Sequence, residues 1–461
     1  MWGFKSPCSH PTVFLAVLLS LKALVRQLAR LALLGVLVGL LCWPFNVLDR
    51  WADQLLALLP AFSGSPWRPL SVLLALLPVL VMPALLLLQR GCLRRGQGSG
   101  ISQTMLSLEQ PQQAGALLGV VPSLQRLLLW AMATLSLLPI GREGPVVQVG
   151  ASAAHWLHRW RPHWFAGLAQ ADLLAVAAGA GLAGAFNAPL LGVVFVLEEF
   201  IGRFSAALVW PALVVGALAA AFSALVGQPE FALGMLTVAP GELRQVVWAV
   251  PIGVLAGACG ALLARLLLDA TARWQGAVAQ RPLWLGLLLG GLLSGCLLIS
   301  GGAAGGDGEL LMRHLVEGGA PTQVFLPGVF GDLLTLLLRL LAPVLVLAVG
   351  VPGGLIDPAF SLGAVLGYSL GDAGMVPELG LALGMVAGLA GATQLPVLAV
   401  LFGMRLTGDQ QLLPGLLLAA VLAAYISRLL VAKPVYHALK ELASGRFADH
   451  QSGTLAREDQ P

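Results

Sequence analysis

The chain is 461 residues long, 58% hydrophobic and only 10% charged, with a mean hydropathy of +0.88. Soluble domains carry about 25% charged residues, so a water-soluble globular fold is excluded and the chain reads as an all-α polytopic integral membrane protein. The formal net charge of +4 does not point to nucleic acid, because the basic residues sit beside apolar runs instead of forming a patch.

Residues 1–27 hold a short apolar run, Val13 to Leu21, which Lys22 and Arg26 interrupt and no small-residue cleavage site follows. They read as a cytoplasmic lead-in helix and not as a secretory signal. A span takes about 20 apolar residues. Runs at 69–89, 116–139 and 205–226 fall in a first transmembrane half-repeat, 28–228. Pro229, Glu230, Pro240, Gly241 and Glu242 then break the pattern, which predicts a connecting loop over 229–243. Runs at 245–268, 283–300, 331–351, 377–402 and 412–431 fill a second half-repeat, 244–443, ahead of a short polar tail, 444–461. Lys22, Arg26 and Arg30, then Arg90, Arg94 and Arg95, then Arg428, Lys433 and Lys440 flank these spans, which puts both termini in the cytoplasm. Twenty-nine prolines and 56 glycines predict many short or broken helices, tolerated at membrane depth only where they line a protected cavity. Gly253/Gly257 and Gly286/Gly290 have the spacing of close helix crossings. Cys8, Cys42, Cys92, Cys259 and Cys296 lack metal-ligand spacing and read as small apolar residues.

The chain repeats itself once. Ala180-Gly181-Leu182-Ala183-Gly184-Ala185 with Pro189 recurs 207 residues later as Ala387-Gly388-Leu389-Ala390-Gly391-Ala392 with Pro396, and each copy runs on to Phe195 or Phe402. Upstream, Gly141 to Pro145 is echoed 213 residues later by Gly354 to Pro358. Duplicated halves interrupted at matching places are the mark of transporters with a site at the repeat interface. The repeat alone leaves open whether the halves are parallel or inverted.

Glu143 is a lone carboxylate in Gly141-Arg142-Glu143-Gly144-Pro145, deep in apolar sequence. Ionisable groups there are expensive and mark ion or proton paths. Glycines before and after it, and a proline suited to a first helical turn, predict an unwound loop feeding a helix N-terminus, whose amides favour an anion. Gly98-Ser99-Gly100-Ile101 and Gly354-Leu355-Ile356-Asp357-Pro358 are similar breaks. Three helix starts converging on one point would hold an anion without a full positive charge, as suits an ion that must also leave. Ser99 adds a hydroxyl, and Lys433-Pro434-Val435-Tyr436 a phenol. Glu198-Glu199 ends an apolar helix; neighbours on a helix point about 100° apart, so at most one faces a proton route, and a solvated terminus pairing with Arg203 is the plainer reading.

Taken in order, GSGI at 98–101, GREGP at 141–145, Asn187-Ala188-Pro189 followed by Glu198-Glu199, Gly353-Gly354 with Pro358, and the KPVY ending at Tyr436 resemble the CLC family of chloride channels and chloride/proton exchangers, over roughly residues 30 to 443. The resemblance implies two inverted-repeat halves of tilted and broken helices, paired as a homodimer with one pathway per subunit. It implies chloride held by the hydroxyls of Ser99 and Tyr436 and the backbone amides of Leu355 and Ile356, with Gly100 and Ile101 completing the serine loop. Glu143 becomes the external gate and proton carrier, in the loop of Gly141, Arg142, Gly144 and Pro145. Glu199 becomes the internal proton acceptor. No cofactor and no metal are implied; the partners are chloride, protons and the bilayer. Three positions depart from the family pattern. Ser102 stands where proline is usual and reads as a helix cap. Ile356 replaces phenylalanine, which widens an inner constriction while keeping the amide. Asp357 reads as capping its own helix, with a charge that weakens anion binding. Ser99 and Pro145 favour a chloride-like anion over fluoride or nitrate.

His155, His158 and His163 lie among Trp and Arg with no carboxylate between them, an interfacial belt and not a metal site. An intramembrane hydrolase built on Ser99 lacks the G-x-S-x-G frame, since Gln97 stands at the first glycine, so no enzyme is expected. A purely structural membrane protein leaves Glu143 unexplained. The tail leaves no room for nucleotide-binding regulatory domains, and the Arg-, Leu-, Ala- and Gly-rich usage suggests a bacterial inner membrane. The expectation is a chloride/proton antiporter, with a passive voltage-gated chloride channel of the same fold as the alternative.

Overall fold

A computed structural model describes residues 11–227, 243–317, 329–372, 376–408 and 410–444. The connecting loop expected at 229–243, the tail at 444–461 and the first ten residues lie wholly or almost wholly outside them. The first half comprises α1 (Pro11–Leu56), α2 (Pro60–Ser63), α3 (Pro69–Arg90), α4 (Ile101–Glu109), α5 (Ala114–Leu117), α6 (Val120–Leu135), α7 (Glu143–Trp160), α8 (Gln170–Phe186), α9 (Pro189–Phe195) and α10 (Ala206–Ser223). The second comprises α11 (Leu243–Gln280), α12 (Pro282–Ile299), α13 (Glu309–Val316), α14 (Val329–Leu347), α15 (Ile356–Asp372), α16 (Pro377–Thr393), α17 (Pro396–Thr407) and α18 (Leu413–Leu430), and a terminal helix follows over 435–444. The lead-in has no boundary of its own: α1 runs unbroken through Pro44.

Among the described residues, seven helices are long and apolar enough to cross a membrane, eight if the bent pair Pro111–Leu117 and Val120–Leu135 is one span. Large apolar side chains such as Leu80, Trp210 and Leu288 stay exposed on them, as lipid-facing positions do. The apolar run at 377–402 is not one span. Gln394 adopts a left-handed backbone with φ of 62° and Pro396 opens the next helix, so the run divides into α16 and α17.

Four consecutive helices of each half, α7 to α10 and α15 to α18, match in order. α8 and α16 start 207 residues apart, at Gln170 and Pro377, and stop on the left-handed residues Asn187 and Gln394, also 207 apart. α10 and α18 keep that shift at both ends, while α7 and α15 begin 213 apart, at Glu143 and Ile356. Equivalent partners also meet across the halves, α3 against α12 and α9 against α17. At the centre Gly141 and Gly354, themselves equivalent, exchange two backbone hydrogen bonds as an antiparallel bridge, at 3.1 and 2.9 Å. A residue paired reciprocally and antiparallel with its own repeat copy lies on a local two-fold axis between the halves, as inverted repeats require. The small-residue crossings also fall where their spacing predicts. Gly253 and Gly257 face Ala419 and Ala423 of α18, and Gly286 and Gly290 face Pro83 and Pro78 of α3.

Candidate ion site

The three glycine-rich breaks meet at Gly144. A Cβ there would overlap the Ser99 carbonyl oxygen and stand 2.9 Å from that of Gly353, so only glycine lets the loops touch. α4, α7 and α15 begin at Ile101, Glu143 and Ile356, one beside each break. Their first amides, which have no partner within the helix, and their positive dipole ends make an anion cradle of neutral backbone.

Glu143 occupies that cradle. Its side chain is fully buried, and Oε1 accepts a 2.6 Å hydrogen bond from the Asp357 N–H in the first turn of α15. Oε2 has no hydrogen-bond partner. The loop beneath is held by Trp130, whose indole donates to the Gly141 carbonyl at 3.2 Å. Leu355 and Ile356 lie at the same helix start and are buried. One turn on, Phe360 meets Phe402 edge-on at 5.2 Å, and Phe402 meets Phe186 at 4.9 Å.

Tyr436 reaches the site from the terminal helix. It is buried and its hydroxyl makes no hydrogen bond of ordinary geometry, although the Leu355 amide lies alongside. The carboxyls of Glu143, Glu199 and Asp357 are its charged surroundings. Ser99 is half-buried and its hydroxyl accepts from the Ile101 N–H at 3.2 Å. Ser102 is not a cap: its hydroxyl donates to the Tyr436 carbonyl at 3.4 Å, tying α4 to the terminal helix. Gln103 satisfies the helix start instead, accepting from the Gly100 N–H at 2.8 Å.

The Glu198-Glu199 pair divides. Both lie in a π-helical turn, Val196–Ile201, a distortion frequent at functional sites. Glu198 does not end in solvent beside Arg203; its carboxylate accepts from the Val397 and Leu398 N–H groups, at 3.1 and 2.8 Å, and so caps α17 of the other half. Glu199 turns inward, its side chain 1% exposed, with His437 Nε2 at 3.9 Å.

Asp357 also departs from expectation. It is the second residue of α15, fully buried, and neither carboxyl oxygen has a hydrogen-bond partner, so it caps nothing. Its own N–H goes to Glu143, and the carboxylate that satisfies this helix start comes from the opposite repeat.

Sequence reasoning missed the supports. Arg142 is buried, ion-paired with Asp49 and with Glu309 at 3.3 Å, and stacked over Phe186 at 5.2 Å. Oxygens of Asp49, Asp307 and Glu309 lie within 4.8 Å of one another, all buried. The guanidinium of Arg142 lies against two of the three and supplies the counter-charge. Asp49 and Asp53, four apart inside an apolar span, were the available signal. Arg126, also buried, donates to the carbonyls of Gln97 at 2.9 Å and Gly98 at 3.3 Å, fixing the serine loop. The histidine-rich stretch after α7 behaves as a belt, with Arg161 stacked on Trp160 at 4.8 Å.

The chain resembles known proteins over most of its length. The family model described as voltage gated chloride channel matches residues 80–428. The voltage-gated ClC-type chloride channel ClcB of Escherichia coli (strain SMS-3-5 / SECEC) is 30% identical over 312 residues, 64% of this chain and 70% of that protein. Among solved structures, a slow cyanobacterial Cl-/H+ antiporter superposes with a TM-score of 0.71 at 24% identity, covering 91% of this chain and 98% of that one. A CLC-type fluoride/proton antiporter gives 0.69 at 25% identity, over 87% and 96% of the two chains.

Proposed function

The chain belongs to the voltage-gated chloride channel family, the CLC family, and we propose from that premise that it exchanges chloride for protons across a membrane. The observation that carries the proposal is the Glu143 carboxylate seated on the Asp357 amide at the start of α15. A helix N-terminus that holds a carboxylate will hold a chloride, and the two anions compete for it. Protonation removes the charge that keeps Glu143 there and frees the seat, so each proton taken up by the gate is linked to anion entry.

In this reading the anion is bound by the Leu355 and Ile356 amides, the Tyr436 hydroxyl and the serine loop of Ser99, Gly100 and Ile101. Gly141, Arg142, Gly144 and Pro145 carry the gate. Glu199 accepts protons on the other side of Tyr436, whose surroundings include both acids. The protein works as a homodimer with a pathway in each subunit, in a bacterial inner membrane with both termini in the cytoplasm, and transports without catalysing a covalent reaction.

The test is transport in liposomes. A chloride gradient imposed at symmetric pH should drive protons uphill, read as a pH change outside the vesicles. Chloride flux without proton movement would make the protein a passive chloride channel and overturn the exchange.

A further inference from the structure

Glu199 is sealed from water, so a proton bound for it needs a carrier that is not. His437 stands in that position. Its Nε2 lies 3.9 Å from Glu199 Oε1, and its side chain is 39% exposed where that of Glu199 is 1%. Glu199 Oε1 has no hydrogen-bond partner. The terminal helix thus places a buried phenol, Tyr436, on the path and an imidazole at its surface on the very next residue.

Four charged groups face the imidazole: the Glu199 carboxylate from the π-turn, and Glu109 from the end of α4 with Lys440 and Glu441 from its own helix; the ring also meets the backbone of Glu199. Glu109 is engaged by Lys440 at 2.5 Å and Glu441 by Lys433 at 2.7 Å. Two of the three acids already have lysine partners, and Glu199 is the one left to the imidazole. Histidine is also the side chain whose ordinary titration spans neutral pH, so it loads and unloads a proton readily.

We propose that His437 relays protons between water and Glu199, a role that rests on the reading of Glu199 as the internal acceptor. A proton from water binds Nε2 and makes the imidazolium. The N–H bond then breaks, an O–H bond forms at Glu199 Oε1, the ring returns to neutral and the carboxylate loses its charge. At 3.9 Å the transfer goes through a bridging water or a small ring rotation.

The experiment measures coupled flux in liposomes across a range of pH for the parent, His437→Gln, His437→Asn and Glu199→Gln. Both histidine variants should slow proton and chloride movement together, by about tenfold or more. The exchange ratio should stay unchanged, because Glu199 still enforces coupling, and free imidazole on both sides should restore the rate. Parental rate and pH profile in a well-folded histidine variant would overturn the relay, and so would a slow variant that imidazole does not rescue, since that is a positional defect. Glu199→Gln keeps the two ideas apart. If it uncouples while the histidine variants match the parent, only the relay falls; if it retains full coupling, the acceptor reading falls and takes the relay with it.

Discussion

At the level of single residues, the proposed function makes the site a contest between two anions for one helix start, decided by charge. Acid neutralises Glu143 and frees the seat, so anion flux should rise as pH falls. Glu143→Ala removes the plug and the proton carrier together: chloride flux should persist within a few-fold of the parent, lose its pH dependence and carry no protons. A well-folded variant with no anion flux would mean that Glu143 does not gate the path. A charged Asp357 would work against an anion at this helix start. Both of its carboxyl oxygens are buried without partners, and Glu143, Asp307, Arg142 and Glu309 are the charges around it. A unit charge about 4 Å away costs an anion roughly 1–4 kcal/mol between the dielectric of water and that of a protein surface. Asp357→Ala should therefore bind chloride more tightly by that order in calorimetry. Since the carboxylate caps nothing, the helix start should survive the change. Unaltered or weaker binding would mean that the Asp357 charge is neutralised where it lies.

At the scale of elements, the repeat made the helix starts legible, because a shift of 207 or 213 residues carried the starts of α7, α8, α9 and α10 onto those of α15, α16, α17 and α18. Glu143, Tyr436 and the three glycine-rich breaks were legible for the same reason: each is local sequence that contradicts its apolar surroundings. What escaped was pairing over long separations. Nothing near Arg142 in sequence announces Asp49 or Glu309, and nothing near Glu198 announces the amides of α17, because no helical periodicity links residues about 90 to 200 positions apart. The division of 377–402 escaped because Gln394 is not a residue type that advertises a left-handed turn. The roles of the glutamate pair separate at this scale. Glu198→Ala removes a helix cap, which costs about 1 kcal/mol, so it should lower thermal stability modestly in detergent and leave proton coupling intact. Glu199→Gln should do the reverse, keeping stability and chloride movement while losing coupled protons. The same coupling defect in both variants would deny the division of labour.

For the whole molecule, the consequence is that neither half is complete. The first supplies Glu143 and the second the amide it sits on; Arg142 draws Asp49 from its own half and Glu309 from the other. Phe186 of one half meets Phe402 of the other, Glu198 caps α17, and the Gly141–Gly354 bridge joins the two at the axis. Removing one partner of a buried ion pair costs about 3–5 kcal/mol because a bare charge is left behind, so a half expressed alone carries that penalty on top of its exposed interface. The contacts that define the site are all made without a peptide link between the halves. A chain cut within 228–242 and expressed as two pieces should therefore reassemble: a tag on one piece should recover the other from detergent extracts in equal amount, and the purified pair should move chloride in liposomes. Each piece alone should fail to accumulate. If one half accumulates alone as a monodisperse, stable protein, the cross-half contacts are not what holds the site together, and the inverted repeat is two folded units placed side by side.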